Sequence, residues 1–444
     1  MEWSNQASQD FLKQMARDYQ LSNAQTRVFL TRFTYEHRQQ QNTAIAKRLN
    51  LEAITVQGYM RDIYKKFART KENPDGCPLD RQRGNRDQFG TLFDWLWQEK
   101  FKEWSEQLQR PIQIEVPEGQ VPLESPFYIE RVDAKCYRAV EQPNCLLRIK
   151  APKQMGKTSL MTRVLEYARQ KEYRIIYLDF EEVENEVLRN LDKLLRWLCY
   201  KISRQLKIPN RLNEHWNPEI LSSASNCTDY FETYFLSKAD NPLVLGIDAV
   251  DKVLAAPEVA QDFFSLLRAW HESGKTNPDW KKLQLVIAYS TEVYVPLDIH
   301  LSPFNVGLSV ELPELSPTQV RELAKLHQLE WNEAQVAQLT DMVGGHPYLV
   351  RVALYHIAHG ETTLEQLLKQ APTGAGVYAR HLLRHWESLK QTPKLTEVMK
   401  KVARSSTPVQ VDPTHAHSLD SLGLIEYQGN GVIPSCNLYR QYFS

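Results

Sequence analysis

The chain has 444 residues, of which 42% are hydrophobic and 10% aromatic, and its 54 lysines and arginines balance 54 aspartates and glutamates. Such a composition excludes a disordered chain, leaves room for several domains of roughly 100–200 residues, and gives no overall charge that points to a partner. Scattered cysteines, no secretory signal and no apolar stretch near ~20 residues predict a cytoplasmic protein with reduced thiols and no membrane span.

The first 71 residues are predicted to form a helical DNA-binding domain. Apolar residues recur at helical spacing, and Ser22 is predicted to cap the second helix. The third predicted helix covers 43–49 and the fourth covers 54–67, with a short turn between them. This spacing is typical of a helix-turn-helix, whose second helix would enter the major groove of duplex DNA.

The fourth predicted helix and the residues after it are basic. Residues 43–71 contain seven lysines and arginines but only two acids, a local excess of five in a neutral chain. Phosphate contacts use such charge, and the predicted contacts are Arg61, Lys65, Lys66 and Arg69. The alternative is a helical protein-docking domain with a solvated basic face.

Residues 72–125 are predicted to be a linker that includes one aromatic helix. The stretch 71–87 is polar and rich in turn formers, which indicates a connection between domains. A helix rich in tryptophan and phenylalanine follows at about 88–108, and proline-containing coil then leads to residue 126.

From residue 126 the pattern changes to apolar runs separated by helical stretches. The runs are at 146–149, 175–178, 243–247, 285–288 and 308–312, with a helical insertion at about 185–240. All but the last lack strict alternation, as expected for parallel strands covered on both faces. The pattern predicts an α/β core over 126–315.

Two further domains are predicted after the core. Ser316, a proline at the next position and Gln319 form a capping box, and helices follow over a predicted lid at 316–390. Residues 391–444 read as two helices followed by a β-hairpin, which predicts a winged helix. Because this segment is less basic than the N-terminal helices, contact with a protein partner or packing within the chain is favoured there over DNA.

The strongest chemical signal follows the first apolar run, in the sequence APKQMGKT (151–158). Phosphates need backbone N–H donors, a helix N-terminus and a cation, and this segment supplies all three. Lys157 is predicted to reach the β- and γ-phosphates of ATP, and the Thr158 hydroxyl to ligate Mg²⁺. The predicted nucleotide contacts in this segment are Gln154, Met155, Gly156, Lys157, Thr158 and Ser159. Ala151 stands where the motif usually has its first glycine.

The third apolar run ends at Asp248, a carboxylate placed to hold the water shell of Mg²⁺. ATPases with an additional strand between these two motifs commonly have a glutamate next, which polarises the attacking water. Here the residue is Ala249, which indicates slow hydrolysis or a deliberate hydrolysis-blocking change. Asp251 is the candidate substitute if its turn points inward, and a surface carboxylate is the alternative.

Two other positions are candidates for nucleotide contact. Ser290 ends the fourth apolar run, where a hydroxyl would lie near the γ-phosphate; the alternative is an N-cap for the next segment. Pro347 begins a predicted lid helix and is placed to press on the base or sugar of the nucleotide, although helix initiation alone explains it.

About half of the chain resembles the AAA-like domain family of bacterial signal-transduction ATPases, close to its STAND and Orc/Cdc6-like branches. The resembling stretches are SPFYIER (125–131), RIKAPKQMGKTS (148–159), QDFFSLLRAW (261–270), STEVYVP (290–296) and GGHPYL (344–349). The N-terminal helices resemble the helix-turn-helix domain of ATPases associated with von Willebrand A and MoxR partners.

The resemblance implies an α/β P-loop NTPase core with a parallel sheet and an additional strand between the two motifs. It also implies roles for Glu130 and Arg131 near the adenine and for Pro347 in the lid. The implied function is an ATP-controlled switch that forms homo-oligomers and regulates transcription, mobile elements or defence. The alternatives are an ATPase that assembles along duplex DNA and an ATP-stabilised scaffold that docks protein partners.

Overall fold

The computed structural model describes residues 5–70, 73–79, 88–109, 113–237, 240–292 and 306–444. The chain forms two compact units, Met1–Gln113 and Ile114–Ser444. The predicted linker at 71–87 lies largely outside the described residues, and so does the resembling stretch beyond Glu292. Among the residues that the structure describes, no helix is long and apolar enough to cross a membrane.

The N-terminal unit is helical. Its helices are α1 (Asn5–Asp18), α2 (Asn23–Phe33), α3 (Asn42–Leu49), α4 (Ala53–Phe67), α5 (Gln88–Asp94) and α6 (Phe101–Gln109), with a π-helical segment, Trp95–Lys100, between the last two. The predicted cap of α2 is confirmed, because Ser22 Oγ accepts the N–H of Gln25 at 3.3 Å. Asn50, in the left-handed conformation, ends α3 and begins the turn into α4.

One aromatic core holds this unit together. The ring of Phe11 in α1 contacts Trp97, Phe101 and Trp104, and Tyr19 stacks on Phe67 at 4.1 Å between ring centres. The tryptophan-rich helical segment, predicted to belong to a linker, therefore buries its rings against the N-terminal helices. The domain boundary at residue 71 stays a prediction.

The second unit begins with a five-stranded parallel sheet. Its strands are β1 (Leu146–Ala151), β2 (Arg174–Asp179), β3 (Leu243–Asp248), β4 (Leu283–Ser290) and β5 (Leu308–Glu311), in the order β2-β3-β4-β1-β5. All five predicted strands are confirmed. Because β4 lies between β1 and β3, the additional strand between the two motif-bearing strands is present as well.

Helices cover both faces of the sheet. They are α7 (Asp133–Val140), α8 (Lys157–Gln170), α9 (Asn185–Leu188), α10 (Leu191–Gln205), α11 (Leu212–His215), α12 (Ser223–Tyr230) and α13 (Pro257–Ser273). Helices α9 to α12 form the predicted insertion between β2 and β3. Two separate buried apolar clusters result, one on each face. Strands β2, β3 and β4 are apolar on both sides as predicted, whereas β1 and β5 carry polar residues on one side: Arg148, Lys150, Ser309 and Glu311.

Helices follow the sheet to the end of the chain, interrupted by one β-hairpin. They are α14 (Pro317–Leu326), α15 (Glu333–Val343), α16 (Pro347–Ala358), α17 (Leu364–Gln370), α18 (Ala379–Lys390), α19 (Pro393–Arg404), α20 (Pro413–Ser421) and α21 (Asn437–Phe443). The capping box at Ser316 is confirmed. Antiparallel strands β6 (Ile425–Gln428) and β7 (Gly431–Pro434) form the hairpin, and the sequence analysis missed α21. All of these elements share one apolar cluster.

Candidate phosphate-binding site

The phosphate loop, residues 151–158, connects β1 to α8. Ala151 ends β1 fully buried, outside the left-handed region, so the motif's usual first glycine is not required there. Gly156 has φ +93°, and a Cβ on it would lie 3.0 Å from Arg131 Nη2. A glycine is therefore needed at 156, immediately before the helix N-terminus.

Lys157 is held inside its own loop. Its Nζ donates to the carbonyls of Ala151 at 3.0 Å and Pro152 at 2.8 Å. Burial lowers the pKa of Lys157, while the nearby carboxylates of Asp251, Glu292 and Asp248 oppose that shift. The two carbonyls offer Lys157 only partial negative charge, whereas a nucleotide phosphate would offer it a full one.

Asp248 is buried at the end of β3. Its Oδ1 accepts the N–H of Ala249 at 2.8 Å, and its Oδ2 accepts the hydroxyl of Tyr177 at 3.3 Å. Burial, with the charge of Asp248 next in importance, raises the pKa of Tyr177, which keeps it a donor. Ala249 is left-handed, at φ 52°, and packs against an apolar cluster.

Asp251 points inward rather than into solvent, with 9% of its surface exposed. Its Oδ1 accepts the N–H of Ser290 at 2.9 Å, which joins the turn after β3 to the end of β4. Burial raises the pKa of the Asp251 carboxyl, although the Ser290 N–H and Lys157 oppose the shift. The hydroxyl of Ser290 accepts the N–H of Glu292 at 3.3 Å.

A cleft of about 380 Å³ opens beside the phosphate loop. Three parts of the fold line it: the loop with the first turn of α8, a strap at 117–121, and the start of α16. The lining residues are Pro117, Gly119, Gln120, Val121, Gln154, Gly156, Lys157, Thr158, Ser159, Pro347, Tyr348 and Arg351. Predicted loop contacts and the predicted lid proline thus meet at one cavity.

Three other predicted nucleotide contacts are not among the residues that line this cleft. Met155 is buried and packs in the apolar cluster of one sheet face. The Glu130 side chain is exposed, and its carbonyl accepts Gln319 Nε2 at 2.9 Å. Arg131 donates to the carbonyls of Met155 and Pro313, each at 2.7 Å, and so fastens the phosphate loop to the segment before α14.

A smaller, mostly apolar cavity of about 40 Å³ adjoins the cleft on the side of Arg131. Phe127, Ile129, Leu315 and Pro347 are among its lining residues. Its walls are mostly apolar, and Arg131 lines it whereas Glu130 does not. The predicted roles of Glu130 and Arg131 near the adenine stay predictions.

The sequence analysis missed a contact between the phosphate loop and α18. His381 Nδ1 lies 2.9 Å from Gln154 Oε1, and its Nε2 lies 2.8 Å from the hydroxyl of Tyr439 in α21. The partners are 227 and 58 residues away in sequence, so no local pattern reveals them. The loop is thereby joined to the C-terminal helices.

Arg163 in α8 is a second missed residue. Its guanidinium donates to the carbonyls of Val121 and Pro122 and lies 3.5 Å from the ring centre of Tyr128. Ser159 Oγ accepts the N–H of Val121 at 3.0 Å. The predicted nucleotide contact Ser159 therefore holds the strap over the cleft.

Thr158 and Asp248 are the residues that would hold Mg²⁺. No group of three or more histidines, cysteines or carboxylates able to hold a metal occurs among the described residues. A sparse set of one hydroxyl and one carboxylate fits Mg²⁺, which takes most of its remaining ligands from phosphates and water. Magnesium at this site stays a prediction.

The four predicted DNA contacts differ in their surroundings. Lys66 Nζ donates to the carbonyl of Gln20, and Arg69 Nε donates to that of Gly76 at 3.2 Å. Lys65 is exposed and forms an ion pair with Asp62 at 3.6 Å. Arg61 is exposed on α4. Two of the four cations thus have bonds that stabilise the N-terminal unit.

Residues 116–444 match the profile of the AAA-like domain family. The chain belongs to this family. The match begins after the N-terminal helices, so their resemblance to helix-turn-helix domains associated with von Willebrand A and MoxR partners stays a prediction. The family explains the five-stranded parallel sheet and the phosphate loop together.

One solved structure shows the same fold over most of this chain, and two further similar proteins are noted beside it. The Walker-type ATPase PABY2304 of Pyrococcus abyssi superimposes with a TM-score of 0.53 at 14% identity, over 73% of this chain and 98% of that one. The ORC2 protein of Aeropyrum pernix gives a TM-score of 0.39 at 14% identity, over 75% and 96%. An uncharacterized WD repeat-containing protein of Synechocystis is 24% identical over 53% of this chain, which spans only 20% of that relative.

Proposed function

We propose that this AAA-like domain protein is an ATP-binding molecular switch. The observation that carries the proposal is the shared cleft, in which the phosphate loop faces Pro347 and Tyr348 at the start of α16. A ligand that fills this cleft contacts the core and the lid at the same time. Its binding energy is therefore available to shift the lid between two positions.

The predicted site residues are proposed to share the contacts with ATP as follows. The N–H groups of the loop and the N-terminus of α8 hold the phosphates, and Lys157 leaves its two carbonyls to neutralise them. Thr158 and Asp248 would hold Mg²⁺, which would supply positive charge beside the terminal phosphates. Ser290 is proposed to contact the γ-phosphate, and Arg131 is proposed to lie on the side of the base.

The turn between α15 and α16 packs tightly against the segment before α14. Gly344 has φ +64°, and a Cβ on Gly345 would lie 2.1 Å from the carbonyl of Leu315. Both positions require glycine, and they come directly before the lid residues of the cleft. ATP is proposed to close this lid and to favour a homo-oligomer.

The N-terminal unit is proposed to bind duplex DNA through α4, for regulation of transcription, mobile elements or defence. The support is the turn at Asn50 between α3 and α4 and the exposed cations Arg61 and Lys65. We propose that α19, α20 and the β6–β7 hairpin are a winged helix, supported by a bridge between Val409 and Val432 that adds a short third strand. A protein partner is proposed there.

The test of ATP binding is Lys157→Ala. The variant loses the cation aimed at the phosphates, and we expect ATP affinity to become undetectable by calorimetry. Lys150→Ala is the matched control, because Lys150 lies one residue before the loop and pairs with Glu311 at 2.9 Å outside the cleft. Equal ATP affinity of a folded Lys157→Ala variant and the wild type would refute the proposal.

Two rival functions make different predictions. An ATPase that assembles along DNA should coat duplexes without sequence preference, whereas a switch should bind a defined site. A docking scaffold should ignore DNA. Duplex binding measured with one selected site and with random competitor, with and without ATP–Mg²⁺, separates the three.

A further inference from the structure

In this chain, residue 249 lacks the carboxylate that commonly orients the attacking water at that position. Ala249 follows Asp248, and a methyl group neither accepts a proton nor orients water. Phosphoryl transfer to water nevertheless depends on such a group. The structure places three carboxylates close enough to Lys157 to affect its pKa: those of Asp251, Glu292 and Asp248.

Asp248 uses both carboxylate oxygens in hydrogen bonds within the protein, and Asp251, like Glu292, uses one. Both oxygens of Asp248 accept hydrogen bonds, from Ala249 N–H and the Tyr177 hydroxyl. Asp251 Oδ1 accepts the N–H of Ser290 and so holds the end of β4 in place. These bonds suit a metal-binding and a positioning role.

Glu292 approaches the phosphate loop from the end of β4. Its side chain is 6% exposed, and its Oε1 accepts the backbone N–H of Lys153 at 2.8 Å. The main chain there is fixed too, because Thr291 N–H donates to the carbonyl of Ala151 at 3.2 Å and Thr291 Oγ1 donates to that of Ser421 at 2.7 Å. A buried carboxylate is thus held against the loop.

The second oxygen of this carboxylate is less committed. Glu292 Oε2 lies 3.6 Å from Lys153 Nζ, which belongs to a side chain that is 49% exposed. At 3.6 Å this contact is an ion pair and too long for a hydrogen bond. One oxygen therefore fixes the orientation of the group while the other remains able to accept a hydrogen bond from a water molecule.

We propose that Glu292 is the catalytic carboxylate that orients the water for ATP hydrolysis, in place of the residue missing at 249. The inference rests on the proposed ATP binding. The water oxygen bonds to the γ-phosphorus, and the bond from that phosphorus to the oxygen bridging the β-phosphate breaks. ADP leaves with the electron pair. Glu292 takes one water proton, the other stays on the phosphate, and the carboxyl then releases its proton to solvent.

The test is Glu292→Gln in the full chain, with Glu311→Gln as the matched control because Glu311 is an exposed carboxylate on β5. Single-turnover hydrolysis at saturating ATP–Mg²⁺ should fall ~100- to 10,000-fold in Glu292→Gln and stay unchanged in the control. ATP affinity by calorimetry should stay within about threefold of wild type. Glu292→Asp should recover part of the rate.

A second readout separates catalysis from loop architecture. ADP with beryllium fluoride mimics bound ATP, whereas ADP with aluminium fluoride mimics the transition state, in which the attacking water is in place. We expect Glu292→Gln to retain the first complex and lose the second. A purely structural role would weaken both equally, which would overturn the proposal.

The outcomes distinguish this inference from the proposed function. If the wild type fails to bind ATP, the proposed function is wrong and this inference falls with it. If ATP binds and the wild type does not hydrolyse it, or Glu292→Gln hydrolyses it within tenfold of the wild-type rate, only the inference is wrong. In the last case, loss of hydrolysis in Asp251→Asn would assign the role to Asp251.

Discussion

At the scale of single residues, a cluster of buried histidines behind the phosphate loop stands out. His346, His381 and His385 contact one another, with ring centres 4.6–5.5 Å apart along the series. Burial and the nearby Arg384 lower the pKa of His346 to about 3 and that of His385 to about 3. Burial also lowers the pKa of His381. All three are therefore neutral in the folded protein at neutral pH.

This cluster predicts acid sensitivity below neutral pH. A histidine whose pKa is lowered by folding binds its proton only after unfolding, so its contribution to stability is complete above pH ~6.5 and is lost as the pH falls. Each histidine adds a slope of up to ~1.4 kcal/mol per pH unit between about pH 6 and 3. Urea unfolding of the wild type at pH 7, 6 and 5 measures this slope.

His385→Gln is expected to flatten that pH dependence even if it lowers stability at pH 7. His417→Gln is the control, because His417 is exposed on α20. An unchanged slope in His385→Gln, equal to that of the control, would contradict the assignment.

At the scale of elements, the basic side chains of α4 and of the residues after it differ in the hydrogen bonds that they form within the unit. All four residues are exposed, and Lys66 and Arg69 also donate to the carbonyls of Gln20 and Gly76. Deleting 1–71 is a poor test of DNA binding, since the aromatic core of the tryptophan-rich segment would lose its other half. Point substitutions avoid this difficulty.

We expect Arg61→Ala and Lys65→Ala each to weaken duplex binding and to reduce the slope of log affinity against log salt by about one. Arg69→Ala should instead lower the melting temperature, because it removes a bond to Gly76 within the unit. Salt titrations by fluorescence anisotropy, paired with thermal melts, provide both measurements. If neither Arg61→Ala nor Lys65→Ala changes affinity or slope, the N-terminal unit is a protein-docking domain.

At the scale of the whole molecule, the chain consists of two compact units, of which the second carries the candidate site. Within that unit, His381 and Tyr439 join the phosphate loop to α18 and α21. The loop, the lid and the C-terminal helices therefore have a direct physical connection through which a bound nucleotide can act on them.

We expect ATP–Mg²⁺ to convert the protein from a monomer to a homo-oligomer, and duplex DNA to favour that oligomer. Native mass spectrometry with and without each ligand measures the change. Lys157→Ala should remain monomeric because it cannot bind ATP, and Glu292→Gln should form a longer-lived assembly because it hydrolyses ATP more slowly. An identical mass under all conditions would exclude nucleotide-controlled assembly.

The sequence by itself determined the elements and the motif that depend on near neighbours. The five strands are apolar runs, the caps at Ser22 and Ser316 depend on residues three positions away, and the phosphate loop lies between a strand and a helix. Lys157 and Asp248 could be predicted to lie at one site, because parallel strands end at the same edge of a sheet. No comparable local signal predicted the strap, the final helix α21, or the packing of the tryptophan-rich segment against the N-terminal helices.

Only the tertiary structure decided which distant side chains meet. The sequence left open whether Asp251 is a surface residue, and in the structure it is buried and bonded to Ser290. Glu292 accepts a hydrogen bond from Lys153, which is 139 residues away in sequence. Lys66 and Arg69 have the same charge as Arg61 in sequence, yet they bond to backbone carbonyls. The physical reason is that hydrogen bonds and burial act over a few ångströms, and the fold brings together residues that no spacing along the chain connects.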